Sequence, residues 1–279
     1  MGISKNLQKL IRSLETKKGR RKEGLFVAEG PKVVGDLMAV SVPVRLIATA
    51  EWFASQAIQP GNDDTVVTED ELRKVSFLQH PQQVMGLFAM ESTASEDHSF
   101  LNDVATSDDS SPVSEAANRA PRTSFLVPQD NLHLALDGVQ DPGNLGTIIR
   151  IADWFGIEHI FCSPDTVDVY NPKVVQATMG SIARVHIHYL PLPDLFASLP
   201  EETPVYGTFL DGENIHAKQL PEEAIIVMGN EGKGISQEVA RLVTDRILIP
   251  NYPEGRPTAD SLNVAIATAI TCAEFRRNS

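Results

Sequence analysis

The chain is poor in cysteine: Cys162 and Cys272 are the only two in 279 residues, and their separation matches no zinc or redox spacing. Both read as reduced core side chains in a reducing compartment, and no metal site is expected. No apolar run reaches the length of a bilayer, which excludes a spanning helix. The first residues carry charge without an apolar stretch, so no signal peptide is expected. Met1-Gly2 does not open a myristoylation signal, because Asn6 stands where Ser or Thr is wanted. These absences together predict a cytoplasmic protein. Excess positive charge is missing too: the formal net charge is −13, which excludes a protein that coats nucleic acid non-specifically. Two nucleotide-binding fingerprints are also absent. The dinucleotide pattern is reduced to Gly143 and Gly146. The phosphate-loop pattern fails around Gly232-Lys233, which no earlier glycine precedes at the right distance and which Gly234 follows.

What remains is an ordinary globular composition, 42% hydrophobic and 22% charged, enough for a sizeable core. It divides into three zones. Residues 1–91 alternate strand and helix patterns and predict a small α/β domain. Leu7, Leu10, Ile11 and Leu14 recur at helical spacing, with a basic loop expected over 17–24. Residues 1–24 hold eight basic side chains against two acidic ones. Lys5, Lys17, Lys18, Arg20, Arg21 and Lys22 are therefore candidate RNA contacts on a chain that is acidic overall. Residues 92–123 are rich in Ser, Thr, Asp, Glu, Asn and Pro, and no Lys or Arg occurs between 91 and 118. Such a segment cannot bury enough apolar surface to offset the entropy of ordering, and it predicts an acidic flexible linker. Residues 124–279 alternate again. Near-continuous apolar runs at 204–210, 224–229 and 245–250 predict a parallel sheet buried on both faces, with its ligand at the carboxyl ends of the strands.

Three strand-end loops in the last zone carry the candidate chemistry. In the first, a strand ends at Leu136, a Gly- and Pro-rich turn follows, Asn144 can cap, and a helix predicted over 145–155 places Arg150 in its second turn. In the second, a buried strand runs into Gly229, Asn230, Glu231 and Gly232, a backbone surface able to cup a flat base or a carboxylate. In the third, a strand breaks at Pro250 and a helix starts near Ser261, Leu262 and Asn263, with Asp260 or Ser261 as its cap. His186 and His188 share a strand face but lack a third ligand, so an edge or dimer contact is expected there.

These loops resemble the three sequence motifs of the SpoU (TrmH-type) branch of the SPOUT RNA methyltransferases. The matching residues are Asn144, Gly146 and Arg150; Gly229, Asn230, Glu231 and Gly232; and Ile249, Pro250, Ser261, Leu262 and Asn263. The segment between Pro250 and Ser261 is longer and more charged than the usual form. The N-terminal zone resembles a ribosomal-protein-like substrate-binding domain, through Lys5-Asn6 and Glu29-Gly30.

The resemblance implies a deep trefoil knot in the C-terminal domain. It also implies S-adenosylmethionine as cofactor, with Thr208, Leu210, Gly229, Asn230, Gly232, Ile249, Pro250 and Leu262 around it. It further implies a homodimer in which Asn144 and Arg150 of one subunit complete the other's site. The implied reaction is methyl transfer to a ribose 2′-hydroxyl of structured RNA, ribosomal sooner than transfer RNA. Arg150 would then hold a phosphate and stabilise the developing alkoxide, since a guanidinium does not deprotonate. Ser261 and Asn263 would position ribose and cofactor, and Glu231 would orient the loop or the partner's Arg150. The alternatives are a non-catalytic RNA-binding factor of the same fold and a base-directed RNA methyltransferase.

Overall fold

The computed structural model describes residues 2–90, 131–253 and 256–277. The expected linker, 92–123, lies outside the described residues. The chain opens with α1 (Lys5–Ser13), where Ser4 accepts from the Leu7 N–H at 3.2 Å. Leu7, Ile11 and Leu14 are buried, as their spacing requires.

The basic segment expected to be a loop is instead a second helix, α2 (Lys17–Glu23). Thr16 caps its start, and Gly24 leaves it in the left-handed conformation at φ 65°. No apolar stripe marks this helix, because its one buried residue is Arg20.

Strands β1 (Leu25–Glu29), β2 (Arg45–Ala48), β3 (Thr65–Val66) and β4 (Val84–Ala89) form a sheet in the order β1-β4-β2-β3. Its pairings are antiparallel except that of β2 with β3. Helices α3 (Pro31–Met38), α4 (Ala50–Ser55) and α5 (Glu69–Val75) connect them, α5 starting in a Thr68/Glu71 capping box. The Glu29-Gly30 pair ties the end of β1 to the turn after α5. The buried Glu29 carboxylate accepts from the Phe77 N–H at 2.9 Å and from the Ser76 hydroxyl. Gly30 starts α3 at φ 88°, a conformation that a side chain would strain.

The second sheet holds β5 (Leu132–Asp137), β6 (His159–Cys162), β7 (His186–Tyr189), β8 (Val205–Asn214), β9 (Ala224–Gly229) and β10 (Asp245–Leu248). Their order is β10-β8-β9-β5-β6-β7, and every pairing is parallel. Leu132, Leu134 and Leu136 of β5 face α6 (Pro142–Trp154), α7 (Pro172–Ala177) and α10 (Val264–Phe275). The opposite face, with Ala135, Ile225 and Val227, is covered by α8 (Leu192–Ser198) and α9 (Gln237–Ala240). Every residue of β5 and β9 is buried, as parallel strands between two helical layers should be. Both cysteines are buried, and burial pushes the Cys272 thiol up to about 12.

The two sheets are docked on each other through β1 and α7. The Phe26 and Tyr170 rings lie 4.6 Å apart, and one apolar cluster runs through both halves. Arg20 is 2% exposed and pairs with Asp168 through Nε and Nη2, while its Nη1 donates to the Leu14 and Glu15 carbonyls at 2.9 Å each. Arg20, expected to contact RNA, is thus consumed by the docking contact. Sequence position alone could not separate it from its exposed neighbours. At the same seam Arg184 bridges Asp153 at 2.7 Å and Asp36 at 3.5 Å.

Candidate functional site

The site is built where β5 and β9, adjacent and parallel, release their loops on the same side. After β5 comes Gly138 at φ 74°, and after β9 comes Asn230. The Asn230 side chain donates to the Gly138 carbonyl at 2.7 Å and accepts from the Gly232 and Lys233 N–H groups at 2.9 and 3.0 Å. The loop then folds back on the strand end. A Cβ on Gly229 would lie 2.3 Å from the Gly234 backbone, so only glycine fits.

The three loops meet in one hydrogen-bond chain. The Asn263 amide donates to the Asn144 side-chain carbonyl at 2.9 Å, and the Asn144 amide donates to Glu231 at 3.0 Å. Glu231 also accepts from the backbone N–H groups of Gln140 and Asp141, at 3.3 and 3.2 Å. Partial burial alone would raise its pKa. The donors from Asn144, Asp141 and Gln140 outweigh that and hold the carboxyl below its usual range. Glu231 is therefore a carboxylate strut between loops.

Three local expectations are corrected by this geometry. Asp141, not Asn144, caps α6, accepting the Asn144 N–H at 2.9 Å with Pro142 behind it. An Asp before a Pro at the first helical position is itself a start signal, and it could have located the cap. The earlier start moves Arg150 from the second to the third turn. Asn263, not Asp260 or Ser261, caps α10, accepting from the Ala265 and Ile266 N–H groups. Asn144 is bound within its own chain, and so are both Glu231 oxygens. Gly146 of the first motif has a packing role: a Cβ there would stand 2.4 Å from the Ala177 Cβ, so its absence lets α6 and α7 approach.

The remaining expected residues are spread more widely. Thr208 donates to the Val227 carbonyl at 3.2 Å, alongside the end of β9. Ile249 packs on the main core and Pro250 is half-buried. Leu210 and Leu262 face solvent, 75% and 51% exposed, and Ser261 is exposed as well. Two cavities lie elsewhere. One of 410 Å³ is lined by Asp137, Ser163, Leu192 and Ser236, and the other lies beside α4 and α5.

Arg150 is exposed and has no polar partner among the described residues. Six residues after Asn144, it projects from a different side of α6. One turn further, Trp154 is 85% exposed. Beside them, α10 carries Ile266, Ala269, Ile270 and Ala273 on its less buried side, with Ile266 53% exposed. On the N-terminal half, Lys5, Lys17, Lys18, Arg21 and Lys22 are exposed, and Lys22 is paired with Glu23. Among the described residues no helix is long and apolar enough to cross a membrane, and no cluster of three or more ligating side chains could hold a metal ion.

The chain is similar to known proteins over most of its length. The SpoU rRNA methylase family matches residues 131–273, and an MRM3-like substrate binding domain matches residues 6–86. The chain is 28% identical to the 23S rRNA (guanosine(2553)-2'-O)-methyltransferase RlmP of Bacillus subtilis, over 95% of this chain and 94% of that protein. A TrmH-family structure from Porphyromonas gingivalis is 38% identical and superposes with a TM-score of 0.79 over the full length of both chains. The AdoMet-bound rRNA methyltransferase of Sinorhizobium meliloti is 29% identical, with a TM-score of 0.77 over 99% of this chain and 96% of that one.

Proposed function

This chain belongs to the SpoU rRNA methylase family, and from that premise we propose that it transfers a methyl group from S-adenosylmethionine to a ribose 2′-hydroxyl of ribosomal RNA in the cytoplasm. The observation that carries the reading is the Asn263–Asn144–Glu231 chain, which draws all three motif loops to one place. The residues there fit the cofactor. Leu210 and Leu262 offer apolar surface to an adenosine, and the Gly229 turn brings bare backbone to the strand end. Asn230, Gly232, Ile249 and Pro250 complete that wall, and the loops around it close as the knot of the family.

When bound, the sulfonium supplies a methyl group that is already activated. The chain's own task is then the nucleophile, because a ribose hydroxyl hardly ionises at neutral pH. Arg150 holds the phosphate next to the target and stabilises the developing alkoxide, while the proton leaves to water or a phosphate oxygen. Ser261 and Asn263 orient the ribose edge. Among the described residues Arg150 has no partner, and it points away from the Asn144 network, so it serves the site of a second subunit. The outward face of α10 with Trp154 is the surface for that homodimer, since its Ile266, Ala269, Ile270 and Ala273 are apolar and need cover. Residues 1–91 form the RNA-recognition domain, with Lys5, Lys17, Lys18, Arg21 and Lys22 on the phosphates, and residues 124–279 the catalytic domain.

Mapping of ribose methylation in ribosomal RNA from a deletion strain tests this. One 2′-O-methyl position should disappear, and return with the wild-type gene but not with Arg150→Ala. An unchanged map would overturn the assignment.

A further inference from the structure

Strands β8 and β10 do not keep one register. Asp245 and Arg246 stand opposite Tyr206 and Gly207, yet the next residue, Ile247, stands opposite Glu213. Residues 208–212 of β8 therefore have no counterpart on β10 and form an excursion next to the end of β9. An unpaired stretch of this kind loses the ladder that normally orders a strand. Something else must hold it.

Several contacts do. At the inner end the Thr208 hydroxyl donates to the Val227 carbonyl at 3.2 Å. At the outer end a Cβ on Gly212 would lie 2.5 Å from the Ile247 carbonyl carbon, so backbone rests directly on backbone. Beyond it Lys218 joins Glu213 and Asp245, at 2.8 and 2.9 Å. Between the ends a single side chain makes two grips. The Arg246 guanidinium lies 3.6 Å from the centroid of the Phe209 ring, and its Nη2 donates to Asp211 at 2.5 Å. Leu210, between those two gripped residues, is left facing solvent.

An exposed ion pair contributes little to global stability, and a single exposed cation–π contact adds modestly. Both contacts act on the same short excursion, however, and on nothing in the core. Their effect is local order. We propose that Arg246 is a positioning residue for cofactor binding, holding residues 208–212 as a preformed lip that presents Leu210 to the cofactor. The proposal rests on the reading of Thr208 and Leu210 as part of the cofactor wall. A lip ordered in advance does not charge its ordering entropy to binding. The planar guanidinium is suited to both grips at once, stacking with its face and hydrogen-bonding with its edge; a lysine can do only the second.

Calorimetry with S-adenosylmethionine on the full chain tests this, together with the KM for RNA and the thermal midpoint. Arg246→Ala should weaken cofactor affinity about tenfold, with RNA KM and midpoint unchanged. Arg246→Lys should fall between, and Asp211→Asn should weaken binding less than Arg246→Ala. Unchanged cofactor affinity in Arg246→Ala would overturn the proposal. So would equal losses for cofactor and RNA, or a lowered midpoint, because these mark a general structural role. Leu210→Asp separates the two layers of the argument. If it leaves cofactor affinity intact, the wall itself is misassigned. If it weakens binding while Arg246→Ala does not, the wall stands and the positioning role falls.

Discussion

In α1 and α2 the inward positions are apolar or ion-paired, and the outward ones carry Lys5, Lys17, Lys18, Arg21 and Lys22. In α6 and α10 the inward positions are equally well packed, but the outward ones carry Trp154 and Ile266. The N-terminal half thus ends in a surface that suits a polyanion and water. The C-terminal half ends in one that suits another protein surface. We propose two jobs for the two surfaces: the first half grips substrate by charge, and the second is completed by another copy of itself.

The sharpest way to break that division is Arg150→Ala. It should lower kcat by about 10²–10³, the usual consequence of losing one group that stabilises developing charge, while calorimetry shows cofactor affinity retained. Turnover near wild type would remove Arg150 from the chemistry. Next in size, Ile266→Asp should turn the proposed dimer into a monomer in sedimentation and lower methyl transfer by no more than Arg150→Ala does. A persisting dimer would mean that the outward face of α10 is not the interface.

Glycine substitutions sharpen the comparison from inside. Gly146→Ala meets Ala177 at 2.4 Å and the Val174 carbonyl at 2.8 Å, and should cost about 1–3 kcal/mol in chemical denaturation. Gly35→Ala, in α3 with nothing within 4 Å of its Cβ, should gain about 0.5–1 kcal/mol instead. Changing Lys17, Lys18, Arg21 and Lys22 to Gln together should raise the RNA KM about tenfold and flatten its salt dependence. Stability should hold in that variant, because these side chains are exposed. Arg20→Gln should do the reverse, destabilising the fold through the stranded Asp168 with its largest effect on the docked halves.

Much of this could be read from the residues. The alternating periodicity locates every described strand of both sheets, because buried strands and amphipathic helices write themselves in hydrophobic pattern. The motif loops were found by composition, since Gly, Pro and Asn at strand ends have few other uses. Helix starts are harder: Asp141 and Asn263 displace the expected caps because several capping residues stand side by side, and the tertiary hydrogen bonds of Asp141 to Glu231 and of Asn263 to Asn144 choose among them. Helix α2 was invisible because Arg20 fills its single buried position, and a buried arginine is legible only with its partner Asp168, 148 residues away. The excursion at 208–212 was hidden for the same reason: a register shift depends on the neighbouring strand.

One measurement bears most directly on the whole. Purified protein is incubated with ribosomal RNA and methyl-labelled S-adenosylmethionine, and the product is hydrolysed in alkali. A 2′-O-methyl group blocks cleavage at its own nucleotide, so the label should appear in an alkali-stable dinucleotide, and should vanish with Arg150→Ala. Label recovered on a free base-modified nucleotide, or no transfer at all by a folded, cofactor-binding protein, would contradict ribose methylation as the function of this site.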